Sequence, residues 1–476
     1  MIYDVVIGLE VHAELNTKTK IFCSCKNEFG LEVNTLCCPI CMGMPGSMPS
    51  LNEKVVEYAV KTGLAFNCDI NKTSKSDRKN YHYPDLPKAY QISQSDVPLC
   101  ENGYLNILVD GKKKRIGITR IHIEEDTGKL LHDVVPDATL IDYNRCGVPL
   151  IEIVTEPDIR SSAEAKAFLD TIKSSLVALG VSDAKMQEGS VRCDVNVSVM
   201  PKGSDVYGTR CEMKNISTFS GAVKAIEYES QRQIDIINSG GTLSPETLRW
   251  DDAKGISVPM RVKKVEFDER YLPETDLKAF TVSDKLIDEL KNAIPELPFE
   301  KSYRYMQEFS LSQNDAFLLA YSPERAKLFE NVMKNGKINA KNVANRILVD
   351  ITGYLNEHNV AILKTALSPT ALYDMVKAVD DGEISNASGK IVLTELLENG
   401  GIVSDIIKAK KLSQISDTSE LESIVTSVIE ANQKSVEDYK NGKTNALGFL
   451  VGQCMKATKG KGNPAMMKEM VLGQLK

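Results

Sequence analysis

Hydrophobic and polar positions alternate with period two in four separate stretches of the first half of the chain. In Ile7-Gly8-Leu9-Glu10-Val11-His12, the apolar Ile7, Leu9 and Val11 share one face and Gly8, Glu10 and His12 the other. The run from Ile116 to Ile123 carries Ile116, Ile118, Ile121 and Ile123 and leads into Glu124-Glu125-Asp126. In Arg192–Val199, Arg192, Asp194, Asn196 and Ser198 oppose Cys193, Val195, Val197 and Val199, and Arg210–Lys214 repeats the pattern. A further stretch, Pro149–Val154, is apolar except for Glu152. A plain surface strand also alternates. Several strands whose second faces carry acids, amides and cations suggest one polar cavity on a large sheet.

Helical spacing predicts three helices among these strands: Asn52–Phe66 capped by Asn52, Ser161–Gly180 capped by Ser161 or Ser162 and closed by Gly180, and Phe219–Asn238. From about Ser283 the alternation stops. Segments rich in Ala, Leu, Lys and Glu follow, punctuated by Pro295, Pro298, Pro323, Pro369 and Gly400. A boundary is expected near residue 290 and a softer one near Lys411–Gln414. Two or three domains suit a chain of 476 residues.

Three consecutive carboxylates repel one another unless a cation offsets them. Mg²⁺ suits such a cluster because hard cations prefer oxygen. For an isolated Glu-Glu-Asp, a solvated turn is the other reading. Glu152 in its apolar strand adds weight to the first, since a buried carboxylate is costly unless paired, protonated or metal-bound. Cys23 and Cys25, then Cys38 and Cys41, make CxC followed by CxxC, a spacing that lets two knuckles clamp one structural zinc. Unmetallated buried thiols are the alternative. Arg78, Lys79 and Lys88, interleaved with Tyr81, Tyr83 and Tyr90, suit phosphates and stacked bases, or a rigid proline-held loop.

Composition narrows the classes. No apolar run approaches a membrane span. The opening Met1-Ile2-Tyr3-Asp4 lacks a basic region, so no secretory signal is expected. Eleven cysteines without such a signal point to a reducing cytoplasm. The net charge of −7 argues against broad coating of nucleic acid. Locally the sign reverses: residues 434–476 hold eight lysines against three acids, with Lys443, Lys456, Lys459 and Lys461 near glycines. Such a tail suits a phosphate backbone or an ordinary solvated face.

Ile7–His12, Cys38–Gly46, Asp77–Gln94, His122–Lys129, Asp142–Ile159, Met186–Ser198 and Gly208–Asn215, in this order, resemble the B subunits of the glutamyl-tRNA(Gln)/aspartyl-tRNA(Asn) amidotransferases, the GatCAB complexes. The resemblance implies an α+β fold: a cradle of mainly antiparallel sheet (1–290), a helical domain (291–410) and a small helical tail that touches tRNA (411–476). It implies an enzyme that uses ATP and Mg²⁺ to phosphorylate the side chain of Glu or Asp on misacylated tRNA. Ammonia from the glutaminase partner, GatA, then displaces the phosphate, with the small GatC protein completing the heterotrimer. The family's metal positions map onto His12, Glu124 or Glu125, and Glu152, with Glu10 and Lys79 beside them. Glu10, His12, Lys79, Glu125 and Glu152 are the expected catalytic residues. Arg78, Asp126, Arg192, Asp194, Asn196 and Lys214 are expected to bind ATP or substrate, and Lys443, Lys456, Lys459 and Lys461 to bind tRNA. All four zinc cysteines of the family are kept.

Overall fold

The twelve-residue strand Tyr3–Glu14 sits at the centre of the largest sheet, because both of its edges are paired along most of its length. The computed structural model describes residues 2–216, 218–262, 270–414, 418–458, 462 and 464–475. They form two compact units, Met1–Glu300 and Lys301–Lys476.

The strands of the first unit are β1 (Tyr3–Glu14), β2 (Asp69–Ile70), β3 (Thr73–Ser74), β4 (Asp77–Asn80), β5 (Tyr90–Ser93) and β6 (Cys100–Val109). Then come β7 (Lys112–Glu125), β8 (Lys129–Val135), β9 (Ala138–Asp142), β10 (Pro149–Thr155) and β11 (Val191–Pro201). The last are β12 (Cys211–Ile216), β13 (Glu246–Asp251), β14 (Ile256–Val262), β15 (Arg270–Pro273) and β16 (Phe280–Thr281). Nine of them make one sheet, in the order β14-β13-β12-β11-β1-β10-β7-β6-β2. Every pairing in it is antiparallel except β12 with β13. β15-β4-β5 form a small separate sheet, and β8 with β9 a hairpin.

One face of the large sheet is the core. Ile7, Leu9, Val11, Ile151, Ile153, Val195 and Val197 are all at most 1% exposed and belong to one cluster. Burial of each such side chain contributes about 1.5–3 kcal/mol. The three long helices bury their apolar faces in the same cluster. α1 (Glu53–Ala65) starts where the Asn52 side chain accepts from Lys54 N at 3.0 Å. α2 (Ser162–Leu179) is capped by Ser161 and stops at Gly180, whose φ of 70° is left-handed and suits a residue without Cβ. α3 (Phe219–Asn238) is capped by Thr218. α4 (Asp284–Asn292) also packs Leu286, Ile287 and Leu290 on this core, so the division between the units falls after it.

The second unit has only helices among its named elements, with an isolated bridge between Ile384 and Ser413 among its described residues. It has two separate cores. One runs from Tyr305 to Leu412. The other joins Leu421, Val425, Leu450, Cys454, Met467 and Val471, from the helices Thr418–Ala431, Asn445–Ala457 and Pro464–Leu475.

Candidate active site

The register of four neighbouring strands lines up four titratable residues on the face opposite the core. Arg192 of β11 lies across from His12 of β1, His12 from Glu152 of β10, and Glu152 from His122 of β7. Two residues along β1, Glu10 faces Asp194, and Asn196 faces Glu212. Glu124 lies opposite Leu150, one row away from Glu152. Alternation keeps all these side chains on one side of the sheet.

The side chains converge. His12 Nε2 lies 3.4 Å from Glu124 Oε1 and 3.5 Å from Glu152 Oε2, and His122 Nε2 lies 3.2 Å from Glu152 Oε2. Ligand atoms of His12, Glu124 and Glu152 all fall within 4.8 Å of one another. They open on a cavity of about 250 Å³ that also meets Glu10, Lys79, Asp126, Arg192, Asp194 and Lys214. Five carboxylates thus face Lys79, Arg192 and Lys214 there, an excess of two negative charges while His12 is neutral.

The acids respond to this excess. Burial and the Glu152 charge push Glu124 upward, and the same two causes raise Glu10. Burial opposes the charged form of Glu152, but bonds from His12 and His122 outweigh it and hold this carboxyl well below its usual range. Burial likewise opposes the charge on His12, yet Glu152 and Glu124 lift its pKa to about 9. A proton on His12 is thus one source of the positive charge that these two acids need. A divalent cation held by His12 nitrogen and the Glu124 and Glu152 oxygens would supply that charge more fully, so the donor set fits a metal.

A second acidic trio, Glu10, Asp194 and Glu212, lies within 4.8 Å. Here a cation is already present: Lys214 Nζ lies 2.8 Å from both Asp194 Oδ2 and Glu212 Oε1, and Asn196 Nδ2 donates to Glu10 Oε1 at 3.0 Å. Asp126 is held low because Arg192, at 2.8 Å, and Arg145, at 3.1 Å, outweigh its burial. Beside it, burial and the Asp126 charge push Glu14 up to about 8.

Two of the expected residues point elsewhere. Glu125 is next to Glu124 in the chain, so its side chain leaves the other face of β7. There it pairs with Lys88 and accepts from Ile92 N at 2.8 Å. Of the two acids expected as alternatives at the metal position, Glu124 is the one that meets His12 and Glu152. Arg78 is bound in a fork by Glu274, at 2.7 and 2.9 Å, and lies 4.4 Å from the Tyr90 ring. Glu125, Arg78 and Lys88 line a different cavity, beside Cys41 and Gly147.

The four cysteines come together as their spacing predicts. Sulfurs of Cys23, Cys25, Cys38 and Cys41 lie within 4.8 Å of one another. The bond with Cys23 and the backbone N–H of Cys38 depress Cys41 to about 5 despite its burial. Four sulfurs gathered this closely fit a tetrahedral zinc site. In the second unit Lys443 is exposed and 2.9 Å from Asp438, and Lys456 is exposed near the end of its helix. Lys459 and Lys461 lie outside the described residues.

Sequence reasoning left out Glu212, Glu14 and the Lys88–Glu125 pair. Glu212 carried a signal in the alternation of Arg210–Lys214. The partnership of Lys88 and Glu125 carried none, because it depends on how β5 lies against β7.

Residues 5–288 match the family model described as the GatB/GatE catalytic domain, and residues 327–475 the one described as the GatB domain. Among curated proteins, the chain is 54% identical to the B subunit of the aspartyl/glutamyl-tRNA(Asn/Gln) amidotransferase of Caldicellulosiruptor saccharolyticus, covering 100% of this chain and 99% of that one. It is 51% identical to the corresponding protein of Thermoanaerobacter pseudethanolicus over 100% of both chains. It is 49% identical to that of Clostridium tetani over 99% of this chain and 98% of the relative. The chain belongs to the GatB family, the B subunits of aspartyl/glutamyl-tRNA(Asn/Gln) amidotransferases.

Proposed function

We propose that this chain converts Glu-tRNA(Gln), Asp-tRNA(Asn) or both to the corresponding amide, as one member of a glutamine-hydrolysing ligase complex. Its own part is to bind the misacylated tRNA and activate the side-chain carboxylate with ATP. A carboxylate is a poor electrophile toward ammonia, and phosphorylation supplies a leaving group. The observation that carries this reading is the row Arg192–His12–Glu152–His122 with Glu124 beside it, in a chain of this family.

His12, Glu124 and Glu152 are the residues that would hold Mg²⁺, which when bound offsets charge on a transferring phosphoryl group. Lys79 borders the same cavity and supplies positive charge toward phosphate. Arg192 is tied to Asp126, which fixes its guanidinium at the edge of the site. Lys214 orients Asp194 and Glu212, and Asn196 orients Glu10. Cys23, Cys25, Cys38 and Cys41 form a closed structural zinc site. Glutamine hydrolysis belongs to a partner amidase, GatA, with the small GatC protein as third member, in the cytoplasm. No helix among the described residues is long and apolar enough to cross a membrane. The two helical cores support a helical domain whose core reaches Leu412 and a separate tail beyond it. That tail would contact tRNA through Lys443, Lys456, Lys459 and Lys461.

The test is ATP cleavage by the assembled three-protein enzyme, with and without charged tRNA. Cleavage stimulated by Glu-tRNA(Gln) or Asp-tRNA(Asn), and not by the uncharged forms, is the expected result. Cleavage indifferent to the aminoacyl group would overturn the reading.

A further inference from the structure

Lys20 is fully buried, which is rare for a lysine. It precedes the first cysteine pair by three residues. Its ammonium donates to Leu36 O at 2.7 Å and to Cys146 O at 2.7 Å. A third contact reaches Cys41 Sγ at 3.9 Å. The two carbonyls come from different segments. Leu36 lies just before the second cysteine pair, and Cys146 lies in the turn between β9 and β10.

Two carbonyl dipoles stabilise a buried ammonium, but they do not neutralise it. An isolated buried charge is strongly disfavoured, so a negative partner is required. Among the described residues the ionisable group in direct contact with this ammonium is the Cys41 sulfur, with the Cys37 and Cys146 thiols also within electrostatic range. Four thiolates around one divalent zinc leave two negative charges over, and these are equally costly beneath the surface. Cys41, 3% exposed, is the ligand on the buried side. Lys20 therefore sits where the excess charge of a loaded site would be hardest for water to screen.

The same side chain joins the cysteine cluster to the wall of the neighbouring cavity. Cys146 Sγ contacts Cys41 O at 3.4 Å, and Ile21 N donates to Gly147 O at 3.0 Å. Gly147 has a φ of +82° and passes so close that an added Cβ would lie 3.4 Å from Cys41 Cβ and 3.9 Å from Glu125 Oε2. The turn is thus pressed between the cysteine cluster and the Glu125 carboxylate.

We propose that Lys20 is the outer-sphere cation of the four-cysteine site: its buried charge balances the metal-bound thiolates and fastens the cluster to the Cys146–Gly147 turn. It is a positioning residue and ligates nothing itself. The inference rests on the zinc reading of the cysteines and is independent of ATP or tRNA.

The test is the rate at which zinc leaves the full-length chain, in complex with its partner proteins, for the chromogenic chelator 4-(2-pyridylazo)resorcinol. Wild type is compared with Lys20→Met, Lys20→Gln and Lys20→Arg. Loss of an outer-shell partner changes metal affinity by about 10–100-fold. Lys20→Met and Lys20→Gln are expected to release zinc at least about tenfold faster, with Lys20→Arg within about threefold of wild type. Should Lys20→Met fail to fold, Lys20→Gln, which retains a hydrogen-bond donor without the charge, decides alone. Equal release from Lys20→Gln and wild type would overturn the proposal, as would a wild-type chain that purifies without about one zinc per molecule.

Discussion

Glu124 and Glu125 are consecutive residues, both at most 3% exposed, and they occupy opposite electrostatic situations. Glu124 enters a cavity with an excess of carboxylates, where a histidine must carry a proton to moderate the field. Glu125 enters a cavity where one lysine already neutralises it and a backbone N–H completes its bonding. With His12 neutral, the first arrangement is short of positive charge by about what a divalent ion brings. The second is closed. A strand turns adjacent side chains to opposite faces, so one residue of sequence separates a site that calls for a ligand from an ion pair that does not.

Exchanging carboxylate for amide at each position tests this contrast most strongly. In the assembled enzyme, Glu124→Gln is expected to lower charged-tRNA-dependent ATP cleavage by roughly 10³-fold, in line with loss of a group that stabilises transferring charge. The effect on Mg²⁺ should run in parallel, as a higher concentration for half-activation. Glu125→Gln should leave that Mg²⁺ requirement unchanged, whatever it does to turnover. A Mg²⁺ shift in Glu125→Gln and none in Glu124→Gln would reverse the assignment of the two faces.

The Lys88–Glu125 pair gives the next effect, on stability. Burial opposes the charge on Lys88, yet Glu125 outweighs it and keeps the ammonium's pKa above its ordinary value. Removing one member of such a pair strands the other in a poorly solvated place. Lys88→Met should cost about 3 kcal/mol in denaturant unfolding. The double variant Lys88→Met/Glu125→Gln should recover most of it, because neither charge is then left alone. Equal losses in the single and double variants would show that packing, not charge, holds this cavity together.

Much of this was legible from residues alone. Asn52, Ser161 and Gly180 marked helix ends because caps act locally, and the polar faces of β1 and β11 followed from plain alternation. The choice between Glu124 and Glu125 did not follow, for a reason visible in β7. Counting by twos from Ile116 and Ile118 would send Glu124 into the core, while counting from Ile121 and Ile123 sends it to the polar face. The apolar positions slip by one between Ile118 and Ile121, and the pairing shows the cause: Val154 lies opposite Arg120, but Thr155 lies opposite Ile118, a bulge in β7. A bulge needs a partner strand to reveal it. For the same reason no sequence signal could pair Lys88 with Glu125 or Arg78 with Glu274, whose contacts join separate strands and loops.

The smallest effect is the pH response of the Glu124 face, and it has a definite sign. His12 has a folded pKa of about 9 against an ordinary value of 6.5. In the metal-free chain, its pairing with Glu152 contributes stability that is fully present below about pH 6.5 and is lost as pH rises through about 9. A metal needs the neutral nitrogen, so cation and proton compete for His12. Divalent-ion affinity should therefore rise by about tenfold from pH 7 to pH 8, with close to one proton released per ion bound. Calorimetric titration of the metal-free chain in buffers of different ionisation enthalpy counts that proton directly. His12→Gln should bind more weakly and lose both the proton release and most of the slope. If wild type binds the ion with no proton released across this range, His12 is not a ligand, and the ion is held by the carboxylates alone.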